Sequence, residues 1–339
     1  MKIAFFSSKS YDIESFKKYE TNHNFKFYDT RLTEDTVYLA NSYDAICIFV
    51  NDVVNKQVID KLVEYNIKLI LLRCAGYNNV DLEYAYNKIH VFRVPAYSPY
   101  AIAEHTMGLL LCLVRKIHKA YIRTRNFNFD IEGLVGFDLH GKTIGIIGTG
   151  KIGKAFANIC KGFSMNVLAY DIYHSDNINY VSLDELLEKS DIISLHLPLT
   201  ETSYHLINEE TLNKTKKKPI IINTSRGGLI DTNALIQAIK NKQISGACLD
   251  VYEEESNIFY KDYSSEIIND QTILELIAMP NVIVTGHLAY LTKDALDNIA
   301  TTTLNNINDY LNKGYGDNEL CYRCGNEQEC AKKRDKICF

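Results

Sequence analysis

The segment 140–171 constrains the fold more than any other part of the sequence. Residues 143–147 (TIGII) are an apolar run of the kind that forms a buried strand, and GTGKIG at 148–153 is a Gly-x-Gly-x-x-Gly turn. Apolar residues then recur at helical spacing, and a second apolar run at 166–170 leads directly to Asp171. The pattern predicts a strand, a tight glycine turn, a helix and a second parallel strand that ends at an acidic residue.

Each part of this unit suits a bound dinucleotide. Gly148 allows the turn, Gly150 lets backbone N–H groups approach a pyrophosphate at the positive end of the helix, and Gly153 allows the helix to pack closely on the strand. Asp171 can accept hydrogen bonds from the adenosine ribose and repels a 2′-phosphate. A glycine turn by itself has a purely structural explanation. The flanking strand, helix and acid nevertheless favour dinucleotide binding, with NAD preferred over NADP.

Composition and charge exclude several other classes of protein. A chain of 339 residues can form two domains, and its formal net charge of −5 provides no electrostatic attraction for nucleic acid or an anionic membrane. The densest basic run, at 214–218, precedes Pro219 and a strand-like run, which is typical of a solvated turn. The apolar runs at the N-terminus and at 106–114 are too short for a signal-peptide core and a membrane span, respectively. We therefore expect a cytoplasmic protein with no nucleic-acid or membrane partner.

Strand-like and helix-like stretches alternate on both sides of one long apolar helix. The first part of the chain has strand-like runs at 2–7, 25–28, 45–50, 69–73 and 91–94, separated by helical or polar stretches. Residues 101–119 (AIAEHTMGLLLCLVRKIHK) predict a single helix that is buried along most of its length. The alternation resumes with strands at 143–147, 166–170, 191–195, 219–223, 245–250 and 281–285, and a last helix at 293–311 returns to the first domain. This order predicts an α/β protein with two parallel sheets, the second of them doubly wound.

Three side chains follow consecutive strands of the second domain and together suit one reaction. Arg226 follows the run PIIINTS, Glu255 lies shortly after SGACLD, and His287 follows NVIVTG. Each alone has an ordinary explanation: a surface ion pair, part of the acidic run 253–255, or a structural histidine. Together, an arginine can bind the carboxylate of a 2-oxo acid and polarise its carbonyl, and a histidine can donate a proton to the developing alkoxide. A glutamate can orient that histidine and favour its protonated form.

Several segments resemble the signatures of the D-isomer-specific 2-hydroxyacid dehydrogenases. They are GKTIGIIGTGKIG, ISLHLPLT, INTSRGGLID, LDVYEEE and TGHLAY. Further segments, RCAGYNNVDL, RVPAYSPYAIAEHTMGLLL, RKIHKAYIRTR, NFDIEGLVGFDLHGKT and the insertion NIFYKDYSSEIINDQ, are similar to the fermentative, NAD-dependent D-lactate dehydrogenases within that family. The likeness extends over residues 1–320.

The resemblance implies two Rossmann-like, doubly wound parallel-sheet domains with the active site in the cleft between them. A substrate-binding domain would comprise residues 1–100 and 290–339, and an NAD-binding domain would be inserted at 101–289. The implied reaction is the reversible, NAD-dependent reduction of pyruvate to D-lactate. Self-association to a homo-oligomer, a dimer or tetramer, through the NAD domain is implied as well.

The resemblance also implies roles for individual residues. Arg226 would be the substrate-binding catalytic arginine, His287 the proton donor and Glu255 its carboxylate partner. The other substrate-binding residues would be Ala75 and Gly76, through their backbone N–H groups, and Tyr97 and Tyr290, as walls of the pocket. The cofactor-binding residues would be Gly148, Gly150, Lys151, Ile152 and Gly153 at the pyrophosphate, Asp171 at the ribose, Leu197, Pro198 and Ser203 at the nucleotide, and Thr224, Ser225 and Asp250 near the nicotinamide.

Two other functions stay open at the level of sequence. A dehydrogenase for another D-2-hydroxy acid, with a bulkier 2-oxo substrate, would keep the same catalytic residues and differ in its pocket. A non-catalytic protein that senses NAD would keep the fold and could dispense with Arg226, Glu255 or His287, all of which are present.

The last nineteen residues depart from the resemblance. They contain Cys321, Cys324, Cys330 and Cys338, spaced as C-x2-C-x5-C-x7-C. Four thiolates match the number of ligands that tetrahedral zinc requires, but the paired Cys-x-x-Cys motifs of many zinc sites are missing. We therefore expect solvent-facing or pairwise oxidised thiols here and predict no metal ligands, with a structural zinc site as the alternative that stays open.

Overall fold

A computed structural model of the chain describes residues 1–19 and 22–322, apart from the side chain at position 257. Its strands are β1 (Lys2–Phe5), β2 (Asn24–Phe27), β3 (Ala45–Ile48), β4 (Leu69–Leu72), β5 (His90–Arg93), β6 (Thr143–Ile147), β7 (Asn166–Tyr170), β8 (Ile192–Leu195), β9 (Ile220–Asn223), β10 (Gly246–Leu249), β11 (Val282–Val284) and β12 (Glu319–Leu320). Its α-helices are α1 (Ser10–Lys17), α2 (Lys56–Glu64), α3 (Leu82–Ala85), α4 (Pro99–Val114), α5 (Ile117–Arg125), α6 (Lys151–Gly162), α7 (Leu183–Lys189), α8 (Glu209–Asn213), α9 (Thr232–Lys240), α10 (Gln271–Ala278) and α11 (Lys293–Lys313). Short 3₁₀ helices lie at Val37–Ala40, Gly227–Leu229 and Glu255–Asn257.

The first sheet has the order β2-β1-β3-β4-β5-β12 and is parallel except for β12, which pairs antiparallel with β5. The strands β3 (AICI) and β4 (LILL) are buried at every position, as central strands of a covered parallel sheet are. Phe5 and Phe16 pack edge to face, and Ala300 and Ile307 of α11 join the same apolar cluster. The sequence does not predict β12, because a strand of two residues has no detectable period.

The second sheet is parallel throughout, with the order β7-β6-β8-β9-β10-β11. Neighbouring residues of a strand belong to different apolar clusters. In β9, Ile222 packs in the cluster of α4 and α6, whereas Ile221 packs in the cluster of α9 and α10. Because successive side chains point to opposite faces of a sheet, helices cover both faces of this one. The chain places β7 on one side of β6 and β8 on the other, which makes the β6–β8 junction the point of reversal. Ligands of such sheets bind at the carboxyl ends of the strands beside this point. The predicted fold class, two parallel-sheet α/β domains, is confirmed.

The described chain forms two compact units. One comprises Met1–Ser98 together with the described residues from Thr292 onward, and the other comprises Pro99–Leu291. Every strand of the first sheet lies in the first unit, and every strand of the second sheet lies in the second unit. In the described part of both units, no helix is long and apolar enough to cross a membrane.

The single helix predicted at 101–119 is wrong, because the structure divides this stretch into α4 and α5. Helix α4 ends at Val114, and Lys116 has a left-handed φ of +57°. The His118 Nδ1 atom lies 3.1 Å from the Cys112 carbonyl oxygen, one of the last carbonyls of α4. Most of α4 is buried whereas no residue of α5 is, so the two helices also differ in environment. The left-handed conformation of Lys116 therefore separates α4 from α5. The apolar pattern of residues 101–119 does not predict this break.

Candidate active site

The glycine turn after β6 leaves no room for a side chain at two of its three glycines. Gly148 has a φ of +93°, and a Cβ there would lie 2.3 Å from the carbonyl oxygen of His196. A Cβ at Gly153 would lie 2.0 Å from the Gly148 carbonyl oxygen, so a glycine is needed for α6 to approach β6 this closely. At Gly150, however, a Cβ would meet no other part of the described chain within 4 Å. The turn is thus open at the N-terminus of α6, where backbone N–H groups can bind a phosphate.

Helix α6 begins directly at this opening. Its first two residues are Lys151 and Ile152, and Gly150 precedes them without a side chain to cap the helix. The first N–H groups of the helix therefore have no hydrogen-bond partner in the side chain of the capping residue, and they are able to bind an anion. The residues predicted for the pyrophosphate thus lie at the open N-terminus of α6, and their contact with a pyrophosphate stays a prediction.

Asp171 lies beside the same turn, just after β7. Its Oδ2 accepts hydrogen bonds from the Thr149 backbone N–H and, at 3.0 Å, from the Thr149 hydroxyl, while Oδ1 accepts one from the Tyr173 N–H at 2.9 Å. Burial by itself would raise the pKa of Asp171, but these hydrogen bonds outweigh it and lower the pKa. The carboxylate is therefore ionised and fixed, as binding of ribose hydroxyls and repulsion of a 2′-phosphate require.

The loop after β8 holds the residues predicted to contact the nucleotide. Within it the Ser203 hydroxyl donates to the Pro198 carbonyl at 2.8 Å and accepts from the Thr200 N–H at 2.8 Å, so this side chain also stabilises the loop. Leu197 begins the loop and is half-buried. His196, which the site prediction does not include, is buried against Phe156 with its Nε2 atom 2.9 Å from the Ser194 hydroxyl.

The environment of His196 keeps its imidazole neutral. Burial lowers the pKa of this side chain to about 3. Its backbone carbonyl is the one that faces Gly148, so His196 supports the glycine turn from the neighbouring strand. The only signal for it in the sequence is its position in the segment ISLHLPLT.

Hydrogen bonds within the loop after β9 fix the backbone around Arg226. The Ser225 hydroxyl donates to the Leu195 carbonyl at 2.7 Å, and the Asn223 side-chain amide donates to the Arg226 carbonyl at 2.8 Å. Thr224 is held by a hydroxyl contact of 2.9 Å with Thr106 of α4. The Arg226 guanidinium donates to the Ser225 carbonyl at 2.6 Å and forms no ion pair with a carboxylate of the described chain. Arg226 is thus a half-buried cation that is available to an anionic ligand.

His287 and Glu255, from the loops after β11 and β10, are in direct contact. The His287 Nδ1 atom lies 2.7 Å from Glu255 Oε1, and the two side chains are 15% and 22% exposed. The other carboxylate oxygen, Oε2, accepts the Tyr252 backbone N–H at 2.9 Å. Glu255 is therefore held from two sides, and His287 Nε2 has no hydrogen-bond partner in the described chain. The structure brings together the histidine and the carboxylate that the sequence pairs.

The acidic run before Glu255 divides into separate environments. Glu253 contacts the His205 Nε2 atom at 2.5 Å and accepts the Thr232 hydroxyl at 3.0 Å. Glu254 is exposed, and Glu255 alone reaches His287. The structure thus provides a second histidine–glutamate pair, His205–Glu253, which shares no residue with the first.

Asp250 is a buried acceptor for the loop that carries His287. Its carboxylate accepts the Thr285 hydroxyl at 2.6 Å and the Leu288 and Ala289 backbone N–H groups at 3.0 and 2.9 Å. Burial would raise the pKa of Asp250, but hydrogen bonds from His105, Thr285 and these N–H groups lower it overall. Asp250 is predicted to lie near the nicotinamide; in the structure its side chain binds the loop from residue 285 to residue 289.

The residues predicted for substrate binding lie in both units. Ala75, Gly76 and Tyr97 belong to the first unit, and Tyr290 belongs to the second, where it is buried. Ala75 and Gly76 are half-buried in the loop after β4, and the Tyr97 carbonyl accepts the Asn298 side-chain amide at 2.6 Å.

The described residues contain no cluster of three or more side chains that could hold a metal ion. Of the tail cysteines, Cys321 is half-buried, while Cys324, Cys330 and Cys338 lie outside the described residues. The expectation for these thiols therefore stays a prediction.

Known proteins resemble this chain in sequence and in fold. Residues 107–289 match the family model of the NAD binding domain of D-isomer specific 2-hydroxyacid dehydrogenases. The D-lactate dehydrogenase of Escherichia coli (strain K12) is 48% identical over 326 residues, which cover 93% of this chain and 98% of that protein. The apo-structure of D-lactate dehydrogenase from Escherichia coli has a TM-score of 0.86 at 46% identity and covers 94% of this chain and 100% of its own. The structure of the pyruvate reductase of Chlamydomonas reinhardtii also has a TM-score of 0.86, at 42% identity over 92% of this chain and 96% of its own.

Proposed function

Because the chain belongs to the D-isomer-specific 2-hydroxyacid dehydrogenase family, we propose that it catalyses the reversible reduction of pyruvate to D-lactate with NADH. The observation that carries this proposal is the 2.7 Å contact between His287 Nδ1 and Glu255 Oε1. An imidazole held at Nδ1 by a carboxylate can exchange a proton through Nε2. NADH, when bound to the second unit, supplies the hydride.

His287 is the proposed proton donor. In the direction of reduction, its Nε2–H protonates the substrate oxygen as the carbonyl becomes an alkoxide, and in the reverse direction the neutral imidazole accepts the hydroxyl proton. Glu255 orients the ring through Nδ1 and stabilises the positive charge of the imidazolium. The Tyr252 N–H, 2.9 Å from Glu255 Oε2, keeps the glutamate in place.

Arg226 is the proposed partner of the substrate carboxylate. Its guanidinium has no carboxylate partner in the described chain, so a bound 2-oxo acid would neutralise it. Close to the carbonyl, the same charge stabilises the developing oxyanion. Ala75 and Gly76, through their N–H groups, and Tyr97 and Tyr290 are the other proposed substrate-binding residues.

The proposed cofactor site uses the carboxyl edge of the second sheet. The opening at Gly150 and the first turn of α6, with Lys151 and Ile152, would hold the pyrophosphate, and the fixed, ionised Asp171 would bind the ribose and select NAD over NADP. Leu197, Pro198 and Ser203 are assigned to the rest of the nucleotide, and Thr224 and Ser225 to the nicotinamide. Asp250 is assigned to the nicotinamide side through the loop that it positions.

Self-association is proposed through one exposed apolar segment, residues 117–137. In this segment the side chains of Ile117, Tyr121, Ile122, Phe127, Phe129, Ile131 and Val135 are 52% to 87% exposed. So many exposed large apolar side chains within one short segment are typical of an interaction surface. The segment also carries both basic and acidic side chains, among them Arg125 and Glu132, so one copy can complement another across a twofold axis. The proposed occupant of the surface is therefore a second copy of this chain.

A panel of 2-oxo acids tests the proposed substrate. Pyruvate is expected to give the highest kcat/KM for NADH oxidation, and branched-chain or dicarboxylic 2-oxo acids about tenfold less or lower, because a pocket discriminates by the fit of a few carbon atoms. Chiral chromatography should identify the product as D-lactate. A preference for a bulky 2-oxo acid would replace pyruvate as the substrate, and no turnover of any member would contradict the proposed enzyme.

A further inference from the structure

The loop after β4 presents two backbone donors that the protein does not use. Ala75 and Gly76 are half-buried, and neither N–H donates a hydrogen bond to any residue that the structure describes. A half-buried donor without a protein partner has to be satisfied by water or by a ligand.

Arg93 lies beside this loop at the end of the neighbouring strand. It is the last residue of β5 and pairs in register with Leu72, the last residue of β4. Its backbone N–H donates to the Asn318 carbonyl at 3.1 Å, and its carbonyl accepts the Asn306 side-chain amide at 2.9 Å. The backbone of Arg93 is therefore held by Asn306 of α11 and by Asn318, which directly precedes β12.

The Arg93 guanidinium is directed at the loop. Its Nη1 atom donates to the Ala75 carbonyl at 3.0 Å, and the group lies 5.2 Å from the centre of the Tyr77 ring. No carboxylate of the described chain lies within ion-pair distance of it. The nearby Arg73 differs, because it is buried and its Nε atom pairs with Asp12 at 3.3 Å. Arg93 thus contributes a partly desolvated, unneutralised cation, which favours an anion nearby.

One peptide group connects this cation to the unused donor. The carbonyl of Ala75 and the N–H of Gly76 belong to the same planar, trans peptide, in which they point in opposite directions. A charged donor on the carbonyl fixes the plane of this peptide, and the polarisation makes its N–H a stronger donor. Arg93 can therefore direct and strengthen the Gly76 N–H without any contact with the ligand itself.

We propose that Arg93 is a positioning residue for the substrate carboxylate: it holds the Ala75–Gly76 peptide so that the Gly76 N–H binds the carboxylate of the 2-oxo acid. This inference rests on the proposed function and adds to it a specificity determinant outside the second unit. The positive charge of Arg93 also contributes to the attraction of an anionic substrate.

The substitution Arg93→Met tests this role. Met keeps much of the aliphatic length and removes both the charge and the donor. The KM for pyruvate is expected to rise about tenfold, the loss typical of a charge-assisted hydrogen bond, with kcat within about twofold of wild type. The dissociation constant for oxamate, an unreactive pyruvate analogue, in the presence of NADH should rise by a similar factor in calorimetry. The affinity for NADH alone should be unchanged.

Two further variants separate positioning from general effects. Lys88→Met removes one positive charge from an exposed site of the same unit, where the ammonium lies over the Tyr84 ring, and should leave both constants unchanged. Arg93→Lys keeps the charge and a donor, and should recover part of the lost pyruvate and oxamate affinity.

Several outcomes would overturn the inference. The first is an Arg93→Met variant whose pyruvate KM and oxamate affinity stay within about twofold of wild type. The second is a Lys88→Met variant that loses as much pyruvate and oxamate affinity as Arg93→Met. The third is a loss of NADH affinity and thermal stability in Arg93→Met that Arg93→Lys does not recover. A wild-type protein that reduces no 2-oxo acid would contradict the proposed function, and with it this inference. A wild-type enzyme that is active while Arg93→Met is unaffected would contradict this inference alone.

Discussion

His287 combines a left-handed backbone with a closely held side chain. Its φ of +53° costs a non-glycine residue roughly 1 kcal/mol. The His287 N–H donates to the Asp250 carbonyl at 2.7 Å, and the Tyr260 hydroxyl donates to the His287 carbonyl at 3.3 Å. The carboxylate of Asp250 binds the next two N–H groups of the chain. These hydrogen bonds stabilise a conformation that the residue would rarely adopt alone, as is common at functional sites.

The substitution His287→Gln tests the residue assigned to proton transfer. Glutamine can keep a hydrogen bond to Glu255 but cannot donate a proton at neutral pH, so kcat should fall by about a hundredfold or more. NADH affinity, measured by fluorescence titration, should stay within about twofold of wild type, since the residue is not assigned to the nucleotide.

The pair His205–Glu253 provides the matched control for this experiment. His205→Gln alters a histidine–glutamate contact of 2.5 Å in the same unit, and it should leave kcat close to that of wild type. A kcat of His287→Gln near that of wild type, or an equal loss of kcat in both variants, would contradict the assignment of His287 as proton donor.

The sequence predicts the positions of the catalytic candidates better than their contacts. Arg226, Glu255 and His287 could be selected because each follows a strand, and parallel strands end at one edge. Which of three successive glutamates reaches His287 depends on the path of the loop after β10, and no periodic pattern encodes that path. The role of Asp250 as an acceptor for backbone N–H groups is likewise a property of the folded loop.

At the scale of elements, the glycine turn and α6 show how closely sequence and packing are linked. The glycine spacing predicts a strand, turn and helix, and the structure places Gly153 where a Cβ would lie 2.0 Å from the Gly148 carbonyl oxygen. The break between α4 and α5 could not be predicted in the same way. It depends on one left-handed residue, Lys116, in a stretch whose apolar composition continues up to it.

A pair of glycine substitutions in α6 tests this packing. Gly153→Ala should destabilise the protein by about 1–3 kcal/mol, because the added methyl group overlaps a backbone carbonyl. It should also weaken NADH binding, since the same turn is assigned to the pyrophosphate. Gly162→Ala lies in the same helix with no atom within 4 Å of the added carbon, and should be neutral or stabilising by up to about 1 kcal/mol. Urea unfolding measures both effects, and equal stabilities of the two variants would contradict the assigned packing.

At the scale of the whole molecule, the order of strands and helices along the chain predicts two parallel sheets, and both are present. The order of strands within each sheet is not encoded in any single segment, because it depends on which strands pair after the chain has collapsed. The same limit applies to surfaces. The exposed apolar segment becomes recognisable only when the structure shows that side chains such as Phe127 and Val135, 86% and 87% exposed, remain outside the core.

Self-association through the exposed apolar segment can be measured by analytical ultracentrifugation. The 38.7 kDa chain should sediment as a dimer or larger assembly. Phe127→Ser combined with Ile131→Ser should weaken association by about tenfold or more, because burial of each of these side chains contributes roughly 1.5–3 kcal/mol. Ile267→Ser, at a residue that is 86% exposed outside the segment, is the control and should not change the mass. A wild-type monomer at micromolar concentration would contradict the proposal.

The discontinuity of the first unit sets an order of events during protein synthesis. All the strands of the second sheet are made before residue 285, so that sheet can assemble while translation continues. The first sheet must wait for β12, and its core must wait for Ala300 and Ile307 of α11, although its other strands leave the ribosome before those of the second sheet. The strands β1 to β5 are therefore synthesised before the second sheet but reach their native state after it, and until then the edge of β5 is exposed to chaperones or to other chains.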